Sequence, residues 1–171
     1  MNEIRRALES DAVGIATVHV RAWQAAYRGI VPDAYLDSLS VDARAKTWRE
    51  ALARGTPEEV WVAVLDCDVA GWIAFGPSRD GPTTAKAGEL EAIYVSAQYW
   101  GAGLGRGLLL KARSCLAERG FTTVSLWVLL ENTRAIRFYR AAGFAPNRES
   151  EKQIIIGGKP LMEIRYEIAL G

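Results

Sequence analysis

Four glycines fall within seven residues, Gly101-Ala102-Gly103-Leu104-Gly105-Arg106-Gly107, between a run with strand character and a helical pattern. Strand, glycine loop and helix in that order make an anion site. The first amides of a helix lack intrahelical acceptors, the helix dipole is positive there, and glycine permits close approach and positive φ. Spacing narrows the choice of anion. A Walker A loop needs Gly-Lys-Ser/Thr after its second glycine, whereas Gly105 is followed by Arg106-Gly107. The Rossmann fingerprint needs glycine at position 106 or, in the next register, at 108, where Arg106 and Leu108 stand; it also belongs at the start of its fold, not past the midpoint. For the glycines alone, the remaining alternative is a loop that only lets helix and strand pack closely.

Composition bounds the setting. The 171 residues suit a single domain over 1–171, with enough chain to bury a core unaided. Half of them are apolar and 24% charged, which excludes a disordered chain. A formal charge of +1 gives no whole-molecule attraction for nucleic acid or an anionic membrane. No apolar run approaches the roughly 18 residues of a membrane span, and no signal peptide is visible. Cys67 and Cys115 make neither a disulfide framework nor a metal-type spacing. The expected location is the cytoplasm, with no metal.

The hydrophobic pattern predicts a strand over Ile4–Leu8, then a helix with Asp11 as N-cap and Ala12, Ile15, Ala16, His19, Val20 and Trp23 on its apolar face. A short helix starts at Pro32-Asp33. A third covers Val41–Ala53 and stops at Gly55-Thr56-Pro57. Val60–Leu65 and Val69–Phe75 read as a hairpin across Asp66-Cys67-Asp68. Gly76–Gly88 reads as a loop, Glu89–Val95 as a strand and Leu104–Arg119 as a helix closed by Gly120. Thr123–Leu130 (strand), Asn132–Ala142 (helix) and the strands Ile154–Ile156 and Leu161–Ala169 complete the chain. This order implies a mixed α/β sheet with helices on both faces.

The segment Asn132-Thr-Arg-Ala135-Ile-Arg-Phe138-Tyr139-Arg-Ala-Ala-Gly143-Phe144 matches N-x-x-A-x-x-F-Y-x-x-x-G-F at every defined position. Trp100 to Gly105 match Arg/Gln-x-x-Gly-x-Gly/Ala except at the first position. With these two motifs the chain resembles the GNAT superfamily of N-acetyltransferases. His19 to Tyr35 is similar to bacterial members related to polyamine acetyltransferases. The resemblance implies a twisted, mostly antiparallel sheet of six to seven strands with a splayed central parallel pair. It also implies acetyl-CoA as donor, and a small-molecule amine, a protein N-terminus or a lysine as acceptor. A CoA-binding regulatory module without catalysis is the reading from another class, and transfer of a longer acyl group is a third. Edge strands near the C-terminus are compatible with a homodimer.

Carried over residue by residue, the resemblance puts the pyrophosphate on the amides of Gly101, Ala102, Gly103, Leu104, Gly105 and Arg106. It puts the pantetheine arm against the backbone of Ile93, Tyr94 and Val95, in the manner of an added strand. Asn132 would bond the pantetheine, or cap the following helix. Tyr139 would protonate the departing thiolate, since a phenol with a pKa near 10 keeps its proton at neutral pH; the alternative is a core tyrosine. Trp100 removes a polar side chain and keeps its backbone amide. The base falls on Glu89, fourteen residues before Gly103, with Glu91 second; the other familiar position, five before Asn132, is Trp127. The two glutamates otherwise read as a salt-bridged pair. Trp23 and Tyr27, one helical turn apart, wall an acceptor pocket or pack the core. His19 reads as packed or exposed. Arg134, Arg137 and Arg140 read as a solvated face.

Overall fold

Alternation along the strands sorts their side chains into two layers, and a different set of helices covers each. The computed structural model describes residues 2–55, 58–80 and 86–170. In chain order the elements are β1 (Asn2–Arg6), α1 (Ala12–Ala26), α2 (Asp33–Asp37), α3 (Val41–Arg54), β2 (Glu59–Leu65), β3 (Asp68–Pro77), β4 (Ala87–Val95), α4 (Leu104–Glu118), β5 (Thr123–Leu129), α5 (Thr133–Ala141), β6 (Ala145–Ile156) and β7 (Lys159–Ala169). Short 3-10 turns occupy Glu9–Asp11 and Ala97–Tyr99.

The strands form one seven-stranded sheet in the order β1-β2-β3-β4-β5-β7-β6. Every neighbouring pair is antiparallel except β4 and β5. Val62, Val64, Trp72 and Ala74 pack beneath α1 and α3, where Trp48 meets Trp72 edge-on at 4.8 Å. Ala63, Ile73 and Phe75 face the other way, onto Leu108, Leu109, Ala112 and Leu116 of α4. β3 is thus buried on both sides, which its unbroken apolar run requires.

One irregularity opens the sheet. The β3–β4 register runs Phe75↔Leu90 and then Ala74↔Ala92, so Glu91 is an extra residue in β4. The bulge flips side-chain parity: Leu90 joins the α4 layer with Ile93 and Val95, while Ala92 and Tyr94 join the α1 layer. Parallel pairing of β4 with β5 ends at Glu89↔Ser125, just before the bulge. Beyond that point the two strands diverge.

Several sequence expectations shift. β1 ends at Arg6 because the chain turns into Glu9–Asp11. Asp11 precedes α1 but makes no side-chain cap. Its carboxylate instead accepts from Leu8 N at 2.7 Å and from both Nη atoms of Arg5 at 2.7 and 3.0 Å. That pairing holds it below the usual aspartate range. β3 and β4 extend to Pro77 and back to Ala87, into the expected loop; positions 81–85 of that loop lie outside the described residues, as do Thr56 and Pro57 of the α3 stop. β6 begins at Ala145 rather than Ile154. It is an edge strand, so Pro146 needs no donor and the polar stretch 148–152 needs no buried face. Its register slips between Asn147↔Arg165 and Lys152↔Glu163, and the Ser150 hydroxyl fills the gap by accepting from Arg165 N at 2.9 Å.

The β6–β7 hairpin leans on the first helices. At its tip Gly157 has φ +57°, and a Cβ there would lie 2.6 Å from Cβ of Tyr35. Lys159 Nζ donates to Ile30 O at 2.7 Å, and Leu161 joins Val31, Leu36 and Leu129 in a small core. Gly158 is also left-handed, at φ +79°, but its Cβ would meet nothing within 4 Å. Gly158→Ala should therefore cost about 1 kcal/mol, the backbone penalty alone, and Gly157→Ala distinctly more. Urea denaturation followed by circular dichroism compares them; equal losses would show that the tip does not press on α2.

Candidate functional site

The divergence of β4 from β5 leaves a cavity of ≈ 830 Å³. Its lining joins the expected residues Trp23, Tyr27, Glu89, Glu91, Ile93, Tyr94, Val95, Gly101, Gly103, Gly105, Arg106, Asn132 and Tyr139. Ala102 and Leu104 are not among them. The carboxylates sit near the vertex where the strands part, and the glycine loop follows the open end of β4.

At the open end the glycine geometry matches the anion-site reading. Gly101 and Gly103 have φ +82° and +85°, and a Cβ on either would meet nothing within 4 Å. α4 begins at Leu104 with Gly103 as its cap, so its first amides have no intrahelical acceptor. The amide of Ala102 is not available, because it donates to Tyr99 O at 3.2 Å; that of Trp100 donates to Ala97 O at 3.2 Å. A Cβ on Gly105 would lie 3.5 Å from the Phe138 ring, an ordinary contact, whereas one on Gly107 would lie 2.8 Å from Ile4 Cδ1, so Gly107 serves the packing of α4. Asn132 is buried and its Oδ1 accepts from Ala135 N at 3.2 Å, so it caps α5 while lining the cavity.

At the vertex, Glu89 is 2% exposed and saturated by one residue. Its Oε2 accepts from Arg79 N at 2.9 Å and from Arg79 Nε at 3.3 Å, while Oε1 takes Arg79 Nη2 at 2.6 Å. Arg79 Nη1 also reaches Glu91 Oε2 at 3.4 Å. Glu91 Oε1 is buried without a hydrogen-bond partner. Burial raises the Glu91 carboxyl above the usual glutamate range; Arg79 opposes the rise, and Glu58 and Glu89 add to it. The expected salt bridge therefore exists, but it links each glutamate to Arg79. Arg79 escaped the sequence reading because it sits beyond the end of β3 in a polar stretch without periodicity. Trp127 lies at the same end, its Nε1 donating to Asp80 Oδ2 at 2.9 Å. Lys152 Nζ lies 3.5 Å from the Trp127 ring centroid and 3.5 Å from Glu163 Oε1. Burial also raises the Glu163 carboxyl, against Lys152.

Aromatic rings wall the middle. Trp23 and Tyr27 meet edge-on at 4.9 Å, and the Tyr27 phenol adjoins Tyr94 and Asn132. Burial holds the Tyr139 phenol well above the ordinary value, reinforced by Tyr27 and opposed by Arg134, so it is fully protonated at neutral pH. His19 lies outside the cavity lining, stacked on Tyr94 at 5.3 Å; burial and Arg44 push it down to about 4. Among the described residues no group of three or more His, Cys, Asp or Glu side chains could hold a metal, and no helix is long and apolar enough to cross a membrane.

The sequence profile of the Acetyltransferase (GNAT) family matches residues 15–144. The chain belongs to that family. An uncharacterised N-acetyltransferase of Bacillus subtilis, YuaI, is 34% identical over 165 residues, covering 96% of this chain and 91% of its own. The spermidine N(1)-acetyltransferase of Thermoplasma acidophilum is 25% identical over 170 residues, covering 96% and 98%. The crystal structure of the PaiA N-acetyltransferase from Thermoplasma acidophilum in complex with coenzyme A superposes with a TM-score of 0.72 at 22% identity, over 95% of this chain and 98% of that one.

The protein is thus an acetyl-CoA-dependent N-acetyltransferase, and its residues fit the cofactor. The open space above Gly101 and Gly103 admits a phosphate, and the α4 amides supply donors. Acetyl-CoA should raise the melting temperature, since a ligand at a hundred times its Kd adds about 2.7 kcal/mol. Gly103→Trp puts an indole into that space and should remove the shift; a shift that survives it would place the cofactor elsewhere.

Proposed function

We propose that this acetyltransferase modifies the primary amine of a small cationic acceptor by direct attack in a ternary complex, with Glu91 as base and Tyr139 as acid. The observation that carries the reading is the half-buried Glu91 carboxylate, held by Arg79 through one oxygen only, in the cavity that also holds the protonated Tyr139 phenol. Bound acetyl-CoA would supply a thioester, which activates the acetyl group and has the CoA thiolate as its leaving group.

The chain's residues supply the rest. An ammonium entering the vertex meets Glu89, Glu91, Asp80 and Glu163, of which Glu91 is half-buried and held by a single ion pair to Arg79 through Oε2. The Glu91 carboxylate takes one proton from the ammonium and exposes the nitrogen lone pair. Tyr139 gives its phenolic proton to the sulfur, and the second proton lost by the nitrogen restores the phenol. One proton is released per turnover. Of the two carboxylates, Glu91 is better placed as acceptor, because Arg79 occupies both oxygens of Glu89. Glu89 then anchors Arg79, which limits the rise of Glu91. The relative named for spermidine and the four carboxylates at one end support a cationic acceptor.

Three experiments test this reading. In an amine panel with thiol release as readout, amines with a second cationic group should be preferred over neutral and carboxylate-bearing ones; the reverse order would overturn the acceptor class. The rate should rise with pH as Glu91 ionises, since a base acts only when deprotonated. Glu91→Gln should flatten that rise and lower kcat by roughly 10²-fold or more, whereas Arg79→Gln should move it to higher pH. Flattening in Glu89→Gln instead would return the role to Glu89. Tyr139→Phe should lower kcat by about 10²-fold and leave acetyl-CoA affinity unchanged.

A further inference from the structure

Trp100 stands where the family motif has a polar residue, and it takes part in two contacts. Its indole Nε1 donates to Val95 O at 2.8 Å, which ties the glycine loop to the end of β4. Its ring carries the Arg134 guanidinium, with Cζ 3.3 Å from the ring centroid. Trp100 precedes α4 and Arg134 lies in the first turn of α5, so the stack joins the two helix N-termini that flank the cavity, and both residues line it.

The chemistry of the stack leaves one function open. Arg134 forms no ion pair among the described residues; its side chain remains exposed, and partial desolvation lowers its guanidinium from the ordinary value. The two phenols near it, Tyr27 and Tyr139, are both held in the neutral form. Stacking engages the π face of a guanidinium and leaves its N–H edge, a planar fork of donors, free to meet a phosphate bidentately. The α4 amides lie along the same wall but carry only partial charge.

We propose that Trp100 is a positioning residue for the cofactor: its ring holds Arg134 with the N–H edge directed at a phosphate of CoA, adding a full cation to the glycine-loop amides. The indole N–H fixes the ring itself by anchoring it on Val95. The polar side chain that the motif lacks at position 100 is thereby replaced by two residues, a platform and a cation from the next helix.

Calorimetric titration of the purified protein with CoA, 3′-dephospho-CoA and pantetheine tests this without a turnover assay. Arg134→Ala should weaken CoA by about thirtyfold, as expected for charge-assisted bonds to phosphate, and leave pantetheine unaffected. A loss that persists with 3′-dephospho-CoA assigns the contact to the pyrophosphate; one that disappears assigns it to the 3′-phosphate. Trp100→Ala should weaken CoA about tenfold, Trp100→Phe less, and Trp100→Ala combined with Arg134→Ala no more than Arg134→Ala alone. Multiplying losses in the double variant would show that Trp100 does not act through Arg134. An unchanged Arg134→Ala affinity, or an equal loss for pantetheine, would overturn the phosphate contact. Failure of the unaltered protein to bind CoA would instead overturn the cofactor site itself.

Discussion

A single extra residue in β4 sets up everything the cavity does. β4 must stay paired with β3 along its length, yet part from β5 after Glu89, and only a bulge meets both demands. From Leu90 onward the β5-facing edge of β4 has no strand partner. Backbone groups left unpaired inside a protein are costly, so such a cleft is stable only when water or a polar guest satisfies them. A chain of amides fits that need. The bulged residue is also Glu91, so the distortion that opens the cleft delivers a carboxylate into it.

The cavity is polarised along its length. The open end gathers helix amides and Arg134, which has no ion pair among the described residues; the vertex gathers Glu89, Glu91, Asp80 and Glu163, offset by Arg79, Lys152 and Arg165. That polarity suits a donor rich in phosphate at the open end and, on the proposed reading, an ammonium at the vertex, with Tyr139 among Phe138, Phe144 and neutral phenols. The apolar middle strengthens each electrostatic contact at its borders.

The elements most legible in the sequence are those with a strict period. α1, α3 and α4 follow from helical spacing, and β2 and β3 from apolar β-branched runs. The glycine loop and the helix it opens are legible because they lie in one continuous segment. Other parts left no such trace. The run Ala92-Ile93-Tyr94-Val95 is apolar throughout, so a parity flip at Glu91 looks the same as a strand buried on both faces. β6 leaves only Ile154–Ile156 as a strand signal, because an edge strand with Pro146 and a polar centre needs neither alternation nor a donor at each position. Arg79 reaches Glu89 across ten positions from a loop, and no spacing rule connects them. Asp11 looked like a helix cap because aspartate before a helix often is one, but the Arg5 guanidinium competed for the same oxygens.

The β6–β7 hairpin lies past the family profile, although relatives such as YuaI match across it. The family profile ends at residue 144, before this hairpin begins. Lys152, Ile154, Ile156 and Glu163, which close the vertex against the aromatic wall of α1, all lie after that boundary. Changing the side chains that this hairpin turns into the cavity would reshape that wall while leaving the pairing of β7 with β5, the bulge, the glycine loop and the Asn132–Tyr139 helix in place. Divergence among relatives that share this donor chemistry has a natural place to occur, in a segment that contributes no residue to the two signature motifs.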